Sequence, residues 1–305
     1  MKKYLLPVLM LAVLATAFTT CKPDEEIYDP TCKISKIWYR SDVGSPNEVY
    51  VYDNKGGRLQ QIVVDSLYSF DFSYNKDKTV NKIVHVGEDY TETIDFQWTD
   101  RLVDKMTYTI DGAVRLEYTF YRHIDKKDPA KGRLDSIVEM YDSEFYEEYY
   151  WKSDRHPLYD KVFGNYEQIA DIMTKRKAND LVMYSVKHFT YDPGKHKDYN
   201  NIETYVEEFP IAQTVVTHTY QYDLESYNPF YGLPFAYADM KGYYYNLPVS
   251  EHVETVVAGY PYKVEDITYS YNGEHFMNDK HYPRQFVTRS SENNIPLRTY
   301  ILYKK

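Results

Sequence analysis

The stretch that decides the fold is Tyr68-Ser69-Phe70-Asp71-Phe72-Ser73-Tyr74, in which aromatic and polar residues alternate without exception. Successive side chains of a β-strand point to opposite faces, so the four rings share one face and Ser69, Asp71 and Ser73 share the other. That alternation predicts a strand with one buried face and one hydrated face. The segment Leu116-Glu117-Tyr118-Thr119-Phe120 repeats the pattern, which indicates several strands of this kind.

Aromatic pairs recur along the chain at an interval that fits a β-hairpin. An aromatic-x-aromatic segment precedes a turn in each copy, and its second aromatic residue is Tyr52, Tyr74, Trp98, Phe120, Trp151, Tyr191, Tyr222 or Tyr271. The first four copies are spaced by 22, 24 and 22 residues. Two strands of about six residues with their connections fill such a period, whereas two helices and a turn need a longer one. The sequence therefore predicts a long antiparallel meander of hairpins.

A meander of this length has to curl, because open twisted sheets rarely exceed about ten strands. We therefore expect an all-β fold in which the meander curls into a barrel-like or wrapped sheet. Two closures are compatible with the alternation: a barrel with its aromatic face inside, or a membrane barrel with that face outside. The chain ends in Leu302-Tyr303-Lys304-Lys305, without the terminal Phe common in bacterial membrane barrels, which favours the first closure.

One segment breaks the strand pattern. Ile169, Ile172 and Met173 have helical spacing, and the basic run Lys175-Arg176-Lys177 follows them. Apolar residues at spacings of three and four are typical of an amphipathic helix. We therefore expect one short helix near residues 166–179.

The first twenty residues have the properties of an export signal. Two lysines precede an apolar run at residues 5–18, and these 14 residues are fewer than the about 20 that span a bilayer. Cys21 follows directly after the small residues Thr19 and Thr20, an arrangement that resembles the lipobox of bacterial lipoproteins. The resemblance implies that the Cys21 thiol is acylated and that residues 1–20 are removed.

A second interpretation of the amino terminus stays open. Cleavage after Ala15-Thr16-Ala17 would leave Cys21 and Cys32 in a secreted chain, where the two thiols could form a disulfide. With lipidation, residues 21–33 form an acidic tether after the lipidated cysteine. Residues 34–305 are then expected to form a single β-meander domain.

Composition and motifs exclude several classes of function. The chain has 36 Lys or Arg against 46 Asp or Glu and no basic block, so we expect no nucleic-acid partner. Neither a metal-ligand motif nor a phosphate-binding glycine run occurs, so no metal and no cofactor is predicted. Nucleophile motifs are missing, and the carboxylates, such as Glu207-Glu208, show no spacing that identifies a catalytic pair. We therefore expect a protein without enzymatic activity, with a hydrolase acting on glycans as an alternative.

The aromatic residues are the positive signal for function. Residues 228–248 hold three Pro and seven aromatic residues in 21 positions, and long unpaired segments of compact domains are often functional. Tyr and Trp rings stack on the C–H faces of sugars, which favours a glycan ligand. The candidate ligand-binding residues are Phe230, Tyr231, Phe235, Tyr237 and Tyr244 of this segment and Trp98 and Trp151 of the hairpin repeat. Alternatively, the repeat aromatics form a core ladder and the segment plugs one end of the sheet.

Several motifs resemble those of known families. Residues 52–59 resemble the core of the tyrosine–aspartate repeat found in wound β-shells of secreted bacterial proteins. A family of uncharacterised Bacteroidota outer-membrane lipoproteins with Tyr-x-Tyr-Asp hairpin repeats has similar motifs, which here are Cys21, residues 49–138, residues 228–232 and residues 269–303. The resemblance implies a porin-like fold and a lipid-anchored, surface-exposed position at the outer membrane. That family has no known function, so the resemblance adds nothing on the ligand.

Together these features predict a cell-surface lipoprotein that binds a glycan or another surface ligand without catalysis. Its expected partners are the membrane, through the lipid on Cys21, and a polysaccharide or an outer-membrane protein. The alternative is a structural or accessory component of an outer-membrane complex with no ligand of its own.

Overall fold

The strands of the computed structural model follow the predicted hairpin pattern. The structure describes residues 28–40, 44–54, 57–124, 132–142, 156–158, 161, 181–191, 201–233, 243–271, 276–292 and 295–304. The strands are β1 Ile34–Tyr39, β2 Glu48–Tyr52, β3 Leu59–Val64, β4 Tyr68–Tyr74, β5 Val80–Val86, β6 Thr91–Thr99, β7 Leu102–Ile110, β8 Ala113–Arg122, β9 Leu134–Asp142, β10 Leu181–Thr190, β11 Thr204–Phe209, β12 Thr214–Tyr227, β13 Asn246–Val257, β14 Tyr260–Ser270, β15 Gln285–Ser290 and β16 Leu297–Tyr303. The helix predicted near residues 166–179 lies outside the described residues.

The sheet closes on itself. Each strand pairs antiparallel with the next strand along the chain, and β1 pairs with β16 to complete a closed barrel. In the closing pair, Ile37 lies opposite Ile301 and Trp38 lies opposite Tyr300. This architecture confirms the predicted all-β meander and shows that it closes as a barrel. In the part of the chain that the structure describes, no helix combines the length and the apolar character needed to cross a membrane.

The barrel has two ends that differ in their connections. We call one the termini end, because it carries residues 28–33, Lys304 and the connections that follow the even-numbered strands. The backbone N–H of Lys304 donates to the carbonyl of Lys33 at 2.8 Å and joins the two chain ends there. We call the other the far end, and it carries the connections that follow the odd-numbered strands.

The two faces of the sheet have opposite chemistry. Phe70 of β4 is buried in the lumen, whereas the next residue, Asp71, lies outside and accepts a hydrogen bond from Gln61 at 2.8 Å. Lys82 and Asp95 form an ion pair of 2.9 Å on the same outer surface. The aromatic face is therefore inside and the polar face outside, which is the first of the two predicted closures. A membrane barrel has the opposite arrangement, with an apolar outer band.

Aromatic side chains at the termini end connect neighbouring strands. The polar atom of an aromatic residue in the part of a strand nearest this end, or directly after the strand, donates to a carbonyl near the start of the preceding strand, over 2.5 to 2.7 Å. These pairs are Tyr74 with Leu59, Trp98 with Val80, Tyr222 with Ile202, Tyr271 with Pro248, and Tyr303 with Pro283. Each bond fixes the hairpin register and gives a buried polar tip its partner. The need for such a donor accounts for the Tyr or Trp at four repeat positions, Tyr74, Trp98, Tyr222 and Tyr271, but not for Phe120, which has no donor.

Two segments outside the strands enter the lumen. Near the far end, Lys161 contacts Glu48 of β2 at 2.5 Å, and the backbone N–H of Leu158 donates to Glu92 of β6 at 3.1 Å. Near the termini end, Tyr243 packs on Phe120 of β8. Strands β2 and β6 are not neighbours in the sheet, so the segment that touches both crosses the interior.

Candidate functional site

Tyrosine rings gather on the surface of the termini end. Tyr227 and Tyr231 each meet Tyr245 edge to face, with ring centroids 5.7 and 5.5 Å apart. Tyr282 lies 5.5 Å from Tyr227 and 6.0 Å from Tyr303. We call these five residues the tyrosine cluster. Tyr227 is 37 % exposed and Tyr231 and Tyr245 are half-buried, so part of the cluster faces solvent.

The cluster forms where two connections meet. Tyr227 is the last residue of β12, and Tyr245 immediately precedes β13. Tyr282 lies in the connection from β14 to β15, and the backbone N–H of Tyr227 donates to the carbonyl of His281 at 2.9 Å. The side chain of Asn278 accepts from the backbone N–H groups of Lys280 and Tyr282, which fixes that second turn.

Buried amides hold the frame beneath the rings. Asn228 accepts from the backbone N–H of Phe230 at 2.9 Å and donates to the carbonyl of Tyr244 at 2.7 Å. Asn246 donates to the carbonyl of Ser226 at 2.7 Å. Asn201 accepts from the backbone N–H of Asn246 at 2.9 Å. Side-chain amides with several bonds favour one backbone conformation, so the described part of the segment is hydrogen-bonded in place.

The structure places the predicted ligand-binding residues in different environments. Phe230 is half-buried against the core, and Tyr231 belongs to the tyrosine cluster. Tyr244 is only 3 % exposed and packs inside the barrel, 5.0 Å from Tyr220. Trp98 is half-buried on β6, and its indole N–H is bonded to the Val80 carbonyl. Phe235, Tyr237, Trp151 and Cys21 lie outside the described residues.

Sequence reasoning missed members of the cluster. Tyr227 is the most exposed of the five, yet it lies just before residues 228–248 and belongs to none of the motifs identified in the sequence. Tyr282 lies 55 residues further along the chain, so no local pattern connects it with Tyr227. Tyr245 lies inside the predicted segment. Its position next to Asn246, where β13 starts, is the one sequence feature that could have indicated its place in the cluster.

A second polar group lies in the lumen wall. The Ser185 hydroxyl is 3.1 Å from a carboxylate oxygen of Glu139 and 3.0 Å from one of Glu207, and Lys187 pairs with Glu207 at 3.1 Å. Burial raises the pKa of Glu139 to about 7, and the nearby Glu207 acts in the same direction. The Ser185 hydroxyl has one proton and can donate to only one of the two carboxylates. A proton on Glu139 supplies the second hydrogen bond that links Glu139, Ser185 and Glu207. Glu139 is 6 % exposed, and this arrangement satisfies buried polar atoms.

The other buried glutamates also have hydroxyl or cationic partners. Burial alone would raise the pKa of Glu48, but Lys161 and the Tyr39 and Tyr50 hydroxyls outweigh it and lower the pKa. The same balance holds for Glu251, whose pKa falls because His218 and two tyrosine hydroxyls offset its burial. Among the described residues, no group of three or more His, Cys, Asp or Glu side chains is placed to hold a metal ion.

The geometry defines the molecule as a closed antiparallel barrel with a filled lumen and a surface cluster of tyrosines. No protein-family model matches the sequence, and no curated protein matches it. A porin-like protein from Bacteroides vulgatus ATCC 8482 is similar over 90 % of this chain and 99 % of its own, at 11 % identity and a TM-score of 0.49. The TcdB2–TccC3 complex with Cdc42 is similar over 81 % of this chain and 13 % of its own, at 12 % identity and a TM-score of 0.24. These likenesses say nothing about a ligand.

Proposed function

We propose that this protein is a cell-surface lipoprotein that binds a glycan without catalysis, through the tyrosine cluster. One observation carries the proposal: solvent-facing tyrosine rings stand on a frame that is already hydrogen-bonded in place. Tyrosine offers a large contact area with few rotatable bonds, and its hydroxyl can bond to sugar hydroxyls. A rigid frame reduces the entropy lost on binding.

The filled lumen supports binding at an end of the barrel and not transport through it. Aromatic side chains from most strands meet inside, and Leu158 and Tyr243 fill the space from opposite ends. Ligand sites of barrels that lack a channel lie at their mouths or on their outer surface. The tyrosine cluster lies at such a mouth.

The chain that follows the predicted anchor enters the barrel at the same end. Tyr28 is the first described residue, and Cys21 precedes it by seven positions. Seven residues reach at most about 25 Å when fully extended. Anchoring through Cys21 would thus hold the tyrosine cluster close to the membrane surface, where cell-surface polysaccharides are concentrated.

Affinity electrophoresis tests this function. The chain from residue 22 to 305 is run in native gels that contain plant, host or microbial polysaccharides. We expect one polymer to retard the wild type, and we expect Tyr227→Ala with Tyr231→Ala to weaken that binding about tenfold, because a stacked ring contributes about 0.5–1.5 kcal/mol.

The matched control replaces tyrosines at the opposite end. Tyr260 and Tyr262 are 76 % and 75 % exposed on β14, so Tyr260→Ala with Tyr262→Ala removes equal ring area without touching the cluster. This variant should bind as the wild type does. Equal retardation of all three proteins, or no retardation by any polymer, would overturn the proposal.

A further inference from the structure

Large apolar side chains form an exposed ring around the far end of the barrel. Each of the eight connections at this end has one within it or within three residues of it. In order around the barrel they are Tyr39, Leu67, Val86, Val114, Met183, Ile211, Tyr260 and Ile295. Leu67, Tyr260 and Ile295 are each at least 70 % exposed. We call this set the apolar crown.

Among the described residues, the opposite end shows no such ring. Exposed large apolar residues of the termini end occur next to only some connections, at Val51, Tyr121, Ile124 and Tyr227. In the described residues, the connections after β4 and β6 have none within three residues. Single exposed apolar residues are ordinary on a protein surface, but one at every connection of a single end forms a defined surface.

The size of the crown suits a protein interface. Sixteen strands spaced about 4.8 Å apart and tilted by about 40° give a ring about 30 Å across. A disc of that diameter covers roughly 700–800 Å², close to the about 800 Å² that each partner contributes to a standard protein–protein interface.

The charges beside the crown indicate which kind of surface it can bind. The described connections of this end carry the acidic residues Asp65, Glu88, Asp89, Asp111 and Glu292. Their basic residues are Arg40 and Lys161, and Lys161 is paired with Glu48 inside the barrel. Acidic groups repel an anionic lipid surface, and they repel a second copy of the same crown. They attract an apolar patch that is bordered by Lys and Arg.

The orientation of the barrel leaves this end free. The chain enters and leaves the barrel at the termini end, so an anchor on Cys21 lies on the opposite side from the crown. A tether of about 25 Å would have to run past the whole barrel before the crown could reach the same membrane. The crown then points away from the membrane.

We propose that the apolar crown docks onto a second protein whose contact surface is an apolar patch bordered by basic side chains. This interaction is separate from glycan binding, because the crown and the tyrosine cluster lie at opposite ends. The partner covers hydrophobic tips on several hairpins at once, and the crown carboxylates pair with its basic border.

Site-specific photo-crosslinking in intact cells that produce the full chain tests the proposal. The photoreactive residue p-benzoylphenylalanine replaces Leu67, Ile211 or Tyr260, which lie on three separate hairpins of the crown. Ile124 and Leu302 at the termini end are exposed control positions. We expect an adduct of the same mass from all three crown positions and from neither control position.

The identified partner, once purified, provides the second measurement. Leu67→Asp with Ile211→Asp should weaken its binding at least tenfold, because the crown contacts would be lost, and Asp65→Lys with Glu88→Lys should weaken it further at low salt. Circular dichroism identifies variants that remain folded. Adducts that differ among the three positions, an adduct of twice the chain's own mass, no adduct, or binding that survives Leu67→Asp with Ile211→Asp would each overturn the proposal.

Discussion

The hydroxyl of Tyr271 provides the sharpest test of how the hairpin repeat holds the barrel together. It donates to the carbonyl of Pro248 at 2.7 Å, and the ring is buried. Tyr271→Phe keeps the ring and its packing and removes only the donor. The variant therefore isolates the hydrogen bond that we infer to be the reason why tyrosine recurs at this position of the repeat.

The expected magnitude follows from what the carbonyl loses. A hydrogen bond within a protein contributes about 0.5–1.5 kcal/mol, and an acceptor left unsatisfied in the interior costs about 1–3 kcal/mol. A carbonyl oxygen has two lone pairs and tolerates partial satisfaction better than an N–H group does. We therefore expect Tyr271→Phe to lower the free energy of unfolding by about 1–2 kcal/mol.

The same donor recurs on separate hairpins, which gives an additivity test. Tyr74 and Tyr222 make the equivalent bonds to Leu59 and Ile202. Substitutions at well-separated sites add to within about 0.3–0.5 kcal/mol. Replacing Tyr74, Tyr222 and Tyr271 together by Phe should therefore lower the free energy of unfolding by about 3–6 kcal/mol.

Urea unfolding followed by circular dichroism measures these differences. Tyr260→Phe is the matched control, because Tyr260 is almost fully solvent-facing and its hydroxyl is hydrated. That variant should unfold within about 0.5 kcal/mol of the wild type. If Tyr271→Phe behaved like Tyr260→Phe, the buried hydroxyl would contribute nothing and the repeat would require another explanation.

Three further predictions concern the lumen and the site frame. Lys161→Met leaves Glu48 buried without its cation and should cost about 2–4 kcal/mol in urea unfolding, most of which Glu48→Gln should restore in the double variant. Glu139 has a native pKa of about 7 against an ordinary value of 4.5, so the native state holds more protons in that interval and stability falls as pH rises through it. Relative to Glu139→Gln, the wild type should lose about 1–3 kcal/mol between pH 5 and 8 in parallel urea titrations, and a flat difference would contradict the raised pKa. Asn228→Ala frees the turn at Phe230 and should weaken glycan binding in affinity gels without changing the rings themselves.

Local patterns predicted the strands because each strand carries its own signal. The alternation in residues 68–74 is visible within seven positions, and the structure has a strand at Tyr68–Tyr74. Curling of the sheet was predictable from length alone, since so many hairpins exceed an open sheet, whereas the pairing of β1 with β16 that closes the barrel was not. The alternation alone did not decide which face lies inside, because it fits both closures. The folded barrel decides it, since Asp71 lies on the outer surface and accepts a hydrogen bond from Gln61.

Contacts between distant segments were not predictable from local patterns. Leu158 meets Glu92 across 66 residues and Lys161 meets Glu48 across 113 residues. Nothing around Lys161 distinguishes it from a surface lysine, because its role depends on which carboxylate the folded barrel presents. The tyrosine cluster could not be predicted from local patterns either. Tyr282 contacts Tyr227 only in the folded barrel, where β14 and β15 are paired.

The two ends of the barrel use their side chains differently, and this difference bears on the apolar crown. At the termini end, aromatic tips such as that of Tyr271 bond to neighbouring strands, so these side chains are needed for the fold. At the far end the tight turns are set by the main chain: Asp65 and Ser66 have φ of 50° and 58°, and Asp111 and Gly112 have φ of 49° and 80°. Such turns do not depend on an apolar neighbour, so Leu67→Asp should change the free energy of unfolding by less than about 0.5 kcal/mol. A loss of 2 kcal/mol or more in urea unfolding would show that the crown stabilises the barrel itself, and its exposure would then need no partner.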